Sequence, residues 1–75
     1  MYRLRVDLLR AVARETGDRT GYAIARRTKI AESSIYRILS GTAQPDLNSM
    51  LRISTTYGVP IETLMEPVEA IEADT

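Results

Sequence analysis

The sequence predicts an all-α fold, in which a short extended N-terminal arm precedes five short helices. Apolar residues recur at helical spacing through most of the chain, and residues 20–41 contain two such runs joined by a tight connection. Capping residues and glycines separate the runs. The chain has 75 residues, which is enough for one domain with a small core.

The composition argues against an enzyme. The chain has no cysteine and no histidine, so it lacks a disulfide framework, the commonest metal ligand and the commonest general base. It also has no glycine-rich phosphate loop. We therefore predict no catalytic site, no metal and no cofactor. Apolar runs are only a few residues long, so we predict no membrane segment and expect a soluble, cytoplasmic protein.

The charged residues are distributed unevenly, although the formal net charge is zero. All ten basic residues lie between Arg3 and Arg52, whereas five of the ten acidic residues lie in residues 62–75. A basic body with an acidic tail fits an anionic partner for the body. The alternative is a solvated surface with an unconstrained tail.

The N-terminal segment allows two interpretations. Residues 2–6 alternate between apolar and polar, which favours an extended arm before a helix over about residues 7–16, with Asp7 as its cap. The alternative is a single helix from Tyr2 to Thr16, because apolar residues there also fit helical spacing. We favour the arm.

Residues 20–41 form a two-helix unit in this prediction. Thr20 caps a helix over residues 22–28, residues 29–31 form the turn, and a third helix covers residues 32–40. Gly41 then ends the unit in a left-handed conformation. The outward face of the third helix carries Glu32, Ser33, Tyr36 and Arg37. Such a polar helix fits the DNA major groove.

Two further helices complete the predicted domain of residues 1–66. Asp46 caps a fourth helix over about residues 47–57, and residues 61–66 form the last one. The predicted apolar side of the fourth helix consists of Leu47, Met50, Leu51 and Ile53. Residues 67–75 form an acidic C-terminal tail, which we expect to be disordered.

The chain resembles the Cro/C1-type (XRE-like) helix-turn-helix DNA-binding family. The residues that carry the resemblance are Ile24-Ala25, Lys29-Ile30, residues 33–38, Gly41, Pro45, residues 51–53 and residues 57–64. The resemblance implies a compact five-helix lambda-repressor-like domain that binds operator DNA as a symmetric dimer, with its third helix in the major groove.

The resemblance also implies a set of DNA-contacting residues. Base contacts fall on Glu32, Ser33, Tyr36 and Arg37. The start of the second helix, at Thr20 and Gly21, approaches one phosphate, and the loop after the third helix meets another stretch of backbone. With the basic cluster beside the third helix, the predicted phosphate contacts are Thr20, Arg26, Arg27, Lys29, Ser34, Ser40, Thr42 and Gln44.

Individual roles within this set stay open. Arg37 can pair with guanine, contact a phosphate or remain solvated. Glu32 can accept from cytosine or serve only the helix N-terminus. Tyr36 can contact a thymine methyl group, contact a phosphate or pack on the helix surface.

The sequence departs from the family pattern at four positions. Lys29 replaces a frequent glycine, which strains a left-handed turn, and Ala31 stands where a capping Ser or Thr is usual. Gly21 replaces a frequent glutamine and removes one phosphate-contacting side chain. Leu39 replaces a glutamate, so we expect it to add to the core.

The functional interpretation is a sequence-specific transcriptional regulator, a repressor that binds a palindromic operator as a homodimer. The dimer contacts are either the fourth and fifth helices, with Leu64, Met65 and Val68, or strand pairing through residues 2–6. The first alternative is a DNA-binding antitoxin-like subunit, or a protein-interaction module, whose acidic tail binds a protein partner. The second is a helix-turn-helix scaffold that has lost DNA binding.

Overall fold

Five helices and one two-stranded sheet make up residues 1–68, which are the residues that the computed structural model describes. In chain order the elements are β1 (Tyr2–Leu4), α1 (Val6–Glu15), α2 (Gly21–Thr28), α3 (Glu32–Leu39), α4 (Leu47–Tyr57), α5 (Ile61–Leu64) and β2 (Met65–Pro67). The predicted number and order of helices are therefore confirmed.

The sheet corrects the all-α prediction. The N-terminal arm is extended as expected, but it pairs antiparallel with β2, with Tyr2 opposite Pro67 and Leu4 opposite Met65. The predicted fifth helix to residue 66 ends instead at Leu64, because Met65 turns to an extended backbone conformation. A three-residue strand next to a helix has too few positions to show alternation, so the sequence carried no signal for β2.

Both outer edges of this sheet are blocked within the described residues. On the β1 side, the backbone N–H of Leu4 donates to Oε1 of Gln44 at 2.9 Å. On the β2 side, Pro67 has no N–H to offer. Short, interrupted edges of this kind resist pairing with another strand.

One hydrophobic core joins the helices to β1. Its buried apolar residues are Leu4, Leu9, Ala13, Ile24, Ala25, Ile30, Ile35, Ile38, Leu39, Met50, Ile53 and Leu64. Leu39 is among them, which confirms the expectation that this leucine, in place of a glutamate, adds to the core. The contribution of Leu4 explains why the arm lies against the body.

The helix α4 differs from its predicted amphipathic pattern. Met50 and Ile53 are buried, but Leu47 is 70% exposed and Leu51 is about half exposed. The prediction that these two leucines belong to the buried side was wrong. Leucines at positions i and i+4 share one helix face, and here that face points to solvent.

The ends of the helices follow the predicted chemistry at two of the three proposed caps. The Thr20 hydroxyl accepts from the backbone N–H of Ala23 at 3.1 Å, and a carboxylate oxygen of Asp46 accepts from that of Ser49 at 2.8 Å. Asp7 is not the cap of α1, which begins at Val6 after Arg5; Asp7 lies in the first turn instead.

The C-terminal tail is described only at its start. Pro67 belongs to β2, and the backbone N–H of Val68 donates to the carbonyl of Met1 at 2.9 Å. Residues 69–75, which make up the rest of the predicted acidic tail, lie outside the described residues.

No helix among the described residues is long and apolar enough to cross a membrane.

Candidate nucleic-acid interface

The turn between α2 and α3 fixes the angle of the two-helix unit. Lys29 adopts the left-handed conformation with φ of 62°, and its backbone N–H donates to the carbonyl of Ala25 at 2.8 Å. It is the only non-glycine residue between 1 and 68 with a positive φ. Ile30 then returns to the core, so α3 starts on the far side of a sharp turn.

The third helix exposes the residues predicted to read bases. Ile35, Ile38 and Leu39 are buried on one side of α3. Glu32, Ser33, Tyr36 and Arg37 are exposed on the other side. Positions i, i+1, i+4 and i+5 of a helix share one surface, so the four side chains form a single patch, here called the reading face.

The ring of Tyr36 lies against the first residue of α2. A Cβ atom built on Gly21 would come within 2.6 Å of Cε1 and 3.0 Å of Cδ1 of this ring. Gly21 is buried, while Tyr36 remains 47% exposed. The N-terminus of α2 therefore adjoins the reading face, and Tyr36 is the side chain that joins the two.

The N-terminus of α2 has the properties of an anion site. The Thr20 side chain satisfies the N–H of Ala23, whereas the first N–H groups of any helix have no partner within it. These groups and the helix dipole favour a phosphate. Because Tyr36 contacts Gly21, an anion here would lie close to the reading face.

Arg26 is exposed at the end of α2 and packs on Tyr22. Its Nη1 donates to the Tyr22 hydroxyl at 3.1 Å, and its guanidinium carbon lies 5.7 Å from the ring centre. The hydrogen bond from Arg26 to Tyr22 also raises the pKa of Arg26 above its usual value. Tyr22 is exposed rather than in the core, so the pair presents a positive charge with a restrained orientation.

Arg27 is held by a group that the sequence pattern does not reveal. Its Nε donates to Oδ2 of Asp18, and the Tyr57 hydroxyl donates to the same oxygen at 2.7 Å. Asp18 is buried, while Arg27 is partly exposed. These three residues, here called the Asp18 cluster, connect the segment before α2 to the ends of α2 and α4.

The Asp18 cluster is charged at neutral pH. The hydrogen bond from Arg27 lowers the pKa of Asp18, and that from Tyr57 adds to this effect, while burial opposes both. Burial and the neighbouring carboxylate raise the pKa of Tyr57. Asp18 is thus a carboxylate, Tyr57 is a neutral donor, and part of the Arg27 charge is neutralised inside the protein.

The loop after α3 positions the remaining predicted phosphate contacts. The Ser40 hydroxyl donates to the carbonyl of Arg37 at 3.1 Å and lies 2.9 Å from the Thr42 hydroxyl. Ser40 and Thr42 are exposed, and Ser34 is half-buried. Gln44 is exposed too, but its carbonyl oxygen already accepts from Leu4, which leaves its amide nitrogen to donate.

A helix-turn-helix family model matches residues 11–64, which is more than half of the chain. The chain belongs to the helix-turn-helix family of the Cro/C1 type. The predicted family is therefore confirmed. Members of this family are DNA-binding regulators, which is the function class that the reading face also indicates.

The family match leaves both strands outside. It starts within α1 and ends with α5, whereas β1 ends at Leu4 and β2 begins at Met65. The sheet is thus a feature of this chain beyond the matched helix-turn-helix region. No curated protein and no solved structure matches the chain.

Proposed function

We propose that this helix-turn-helix protein is a sequence-specific regulator of transcription that binds double-stranded DNA through α3. The observation that carries the proposal is the reading face: four polar or aromatic side chains lie together on one exposed helix surface. A phosphate-binding helix terminus adjoins that surface through the contact between Gly21 and Tyr36.

Arg37 is the strongest candidate for direct base recognition. It is exposed in the last turn of α3, and its guanidinium fork matches the N7 and O6 acceptors of guanine. Glu32, in the first turn, accepts from cytosine N4, and Ser33 supplies a short donor or acceptor. Contacts of this kind select sequence, whereas contacts with phosphates set position.

The phosphate contacts surround the reading face. Thr20 contributes from the start of α2, Lys29 from the turn, and Arg26 from the exposed end of α2. The hydroxyls of Ser34, Ser40 and Thr42 contribute along α3 and the loop after it. Arg27 and Gln44 remain in the proposed set, although part of their hydrogen-bonding capacity is used by Asp18 and Leu4.

A homodimer on a palindromic operator is part of the proposal, because one eight-residue helix reads only a few base pairs. Repression follows if the bound dimer excludes polymerase from the promoter. The predicted dimer contacts need revision. Leu64 is fully buried in its own core, and residues 2–4 pair with β2 of the same chain. Met65 and Val68 are half-buried, so part of each side chain is accessible for a dimer contact.

Selection of binding sites from a random pool of duplex DNA tests this function. The wild type should enrich a short, two-fold symmetric site at near-physiological salt. Arg37→Ala should weaken binding about tenfold and relax preference at one position in each half-site, the effect of losing a good bidentate contact. Arg52→Ala is the matched control for base preference, since Arg52 is exposed on α4 rather than on α3. Arg52 lines a groove with Arg27 and Lys29, so its replacement should leave the preferred sequence unchanged, whatever it does to affinity.

The other outcomes separate the alternatives. Enrichment of a site without symmetry would support sequence-specific binding and overturn the symmetric dimer. No enrichment by a folded wild type overturns the proposal and directs the search to a protein partner. In that case, a chain that ends at Val68 tests the acidic tail: loss of partner capture after this truncation supports an antitoxin-like subunit.

A further inference from the structure

We infer that Gly21 and Tyr36 act as one recognition unit, in which Gly21 positions the Tyr36 ring and the ring contacts the methyl group of a thymine. The inference rests on the proposed function, since it concerns the same α3 surface. It assigns a role to Gly21, where a DNA-contacting side chain is absent. It also selects one of the roles that are open to Tyr36.

The backbone at Gly21 does not require glycine. Gly17, Gly41 and Gly58 have positive φ values of 101°, 82° and 68°, and a Cβ on any of them would meet nothing within 4 Å. Gly21 is the opposite case, because its φ is not positive and its Cβ would meet the Tyr36 ring. Glycine is also a poor helix former. The reason for glycine here is therefore space.

The space at Gly21 is occupied by one edge of the Tyr36 ring. A Cβ at this position would lie 2.6 Å from Cε1, 3.0 Å from Cδ1 and 3.1 Å from Cζ, and real Cβ atoms essentially never approach closer than 3.0 Å. Any side chain at position 21 would therefore push the ring away from α2. With glycine present, this edge of the ring lies against the start of α2.

The exposed part of the fixed ring suits an apolar base contact. Tyr36 is about half exposed, and it lies between Glu32 one turn earlier and Arg37 next to it. A tyrosine ring offers a large apolar edge with only two side-chain torsions to restrict. In the major groove, the C5-methyl group of thymine is the apolar feature that distinguishes this base. A ring held on the exposed face of α3 can recognise this methyl group without a hydrogen bond.

Uracil substitution tests the contact with the methyl group. Each thymine of the selected operator is replaced in turn by uracil, which removes only the methyl group. The wild type should lose about fourfold in affinity at one thymine of each half-site, the factor for one buried methyl group. Tyr36→Phe should keep this loss, because the ring is retained. Gly21→Ala and Tyr36→Ala should abolish the difference between thymine and uracil.

A thermal unfolding cycle tests the positioning without DNA. Gly21→Ala should be less favourable to the melting temperature in the wild type than in Tyr36→Ala, because displacing the ring offsets part of what alanine adds to a helix. In the Tyr36→Ala background the same substitution should raise it, because alanine favours the helix. If Gly21→Ala changed the melting temperature by the same amount and in the same direction in both backgrounds, the role of Gly21 would be overturned. If Gly21→Ala alone fails to fold, rescue by Tyr36→Ala supports the steric contact.

The two tests also distinguish failure of this inference from failure of the proposed function. A wild type without sequence preference overturns both the proposed sequence-specific binding and the thymine contact, whatever the unfolding cycle shows. A wild type that selects an operator, but binds every uracil-substituted site equally well, overturns the thymine contact alone. If Tyr36→Phe abolished the difference in affinity between thymine and uracil sites, that difference would come from the hydroxyl group. Recognition by the ring would then be overturned.

Discussion

Asp18 is a buried acidic residue that joins two helices of the fold. Its buried carboxylate accepts from both Arg27 and Tyr57 through one oxygen. A buried carboxylate is stable only when it is paired and hydrogen-bonded in this way. The cluster therefore ties α2, which carries the proposed phosphate-binding terminus, to α4, which belongs to the supporting core.

Replacing Asp18 by asparagine should destabilise the fold and change its response to acid. At neutral pH the loss should be about 1–2 kcal/mol, because a buried charge-assisted contact disappears while Arg27 stays partly solvated. The pKa of Asp18 is lowered from 3.8, so its stabilisation is complete above this value and is lost as the pH falls below it. Urea unfolding at a series of pH values measures both effects.

Two further variants control the acid experiment. Asp46 also has a lowered pKa, chiefly because the backbone N–H of Ser49 donates to it. Asp46→Asn therefore measures how much of the stability lost in acid comes from Asp46. Glu15 is exposed near the end of α1, and Glu15→Gln should leave stability unchanged within about 0.5 kcal/mol. An acid response of Asp18→Asn equal to that of the wild type would contradict the role of the Asp18 cluster.

At the residue scale, the sequence predicted exposed positions better than internal contacts. Helical spacing placed the reading face correctly, because the buried isoleucines of α3 fix which side is outward. In the sequence Asp18 only marks a helix end, since nothing in its spacing connects it to Tyr57, 39 positions later. The packing of Tyr36 on Gly21 was equally invisible, because it depends on the angle between two helices.

Side chains cap the N-termini of α2 and α4, whereas the N-terminus of α3 has no side-chain cap. Asp46 satisfies the N-terminus of α4, whereas Ala31 occupies the cap position of α3 with no side-chain hydrogen bond. A helix whose first N–H groups lack a cap is less stable by itself. The same N–H groups are left for solvent or for DNA.

Ala31→Ser should therefore stabilise the free protein, and Asp46→Ala should destabilise it. Each change should amount to about 0.5–2 kcal/mol, the usual range for adding or removing a side-chain cap. Ala31 is exposed, so serine fits without repacking the core. Chemical denaturation without DNA measures both variants, and a destabilised Ala31→Ser would show that the backbone at position 31 does not allow capping.

At the element scale, local chemistry was sufficient for the helices but not for the sheet. Thr20 and Asp46 marked two helix starts in the sequence, and the structure uses both of them. β2 was missed because strand pairing depends on a partner more than sixty residues away. The exposed leucines of α4 were predicted to face inward because a single-helix pattern does not specify how wide the buried side is.

The whole molecule is closed by the pairing of its first and last described segments. β1 contributes Leu4 to the core, donates the Leu4 N–H to Oε1 of Gln44 and pairs with β2. The ladder continues on either side, from the Arg5 N–H to the Leu64 carbonyl and from Val68 to Met1. The sheet thus holds the helices on which the reading face depends.

Truncation measures what this closure contributes. A chain that ends at Val68 keeps both strands and should match the stability of the full chain. A chain that ends at Leu64 loses β2 and should be less stable by about 1–3 kcal/mol, because Leu4 loses its support and the β1 backbone loses its partners. Circular dichroism during urea unfolding compares them. Equal stability of the two shorter chains would show that the strands are dispensable.

The tight contact between Gly21 and Tyr36 also limits the order in which these positions can change during evolution. A tyrosine that arises at position 36 opposite any side chain at position 21 meets an occupied space. Glycine must therefore be present before the ring can take this position. Once the pair exists, a return to a larger residue at 21 displaces the exposed ring and so gives up its orientation rather than the fold.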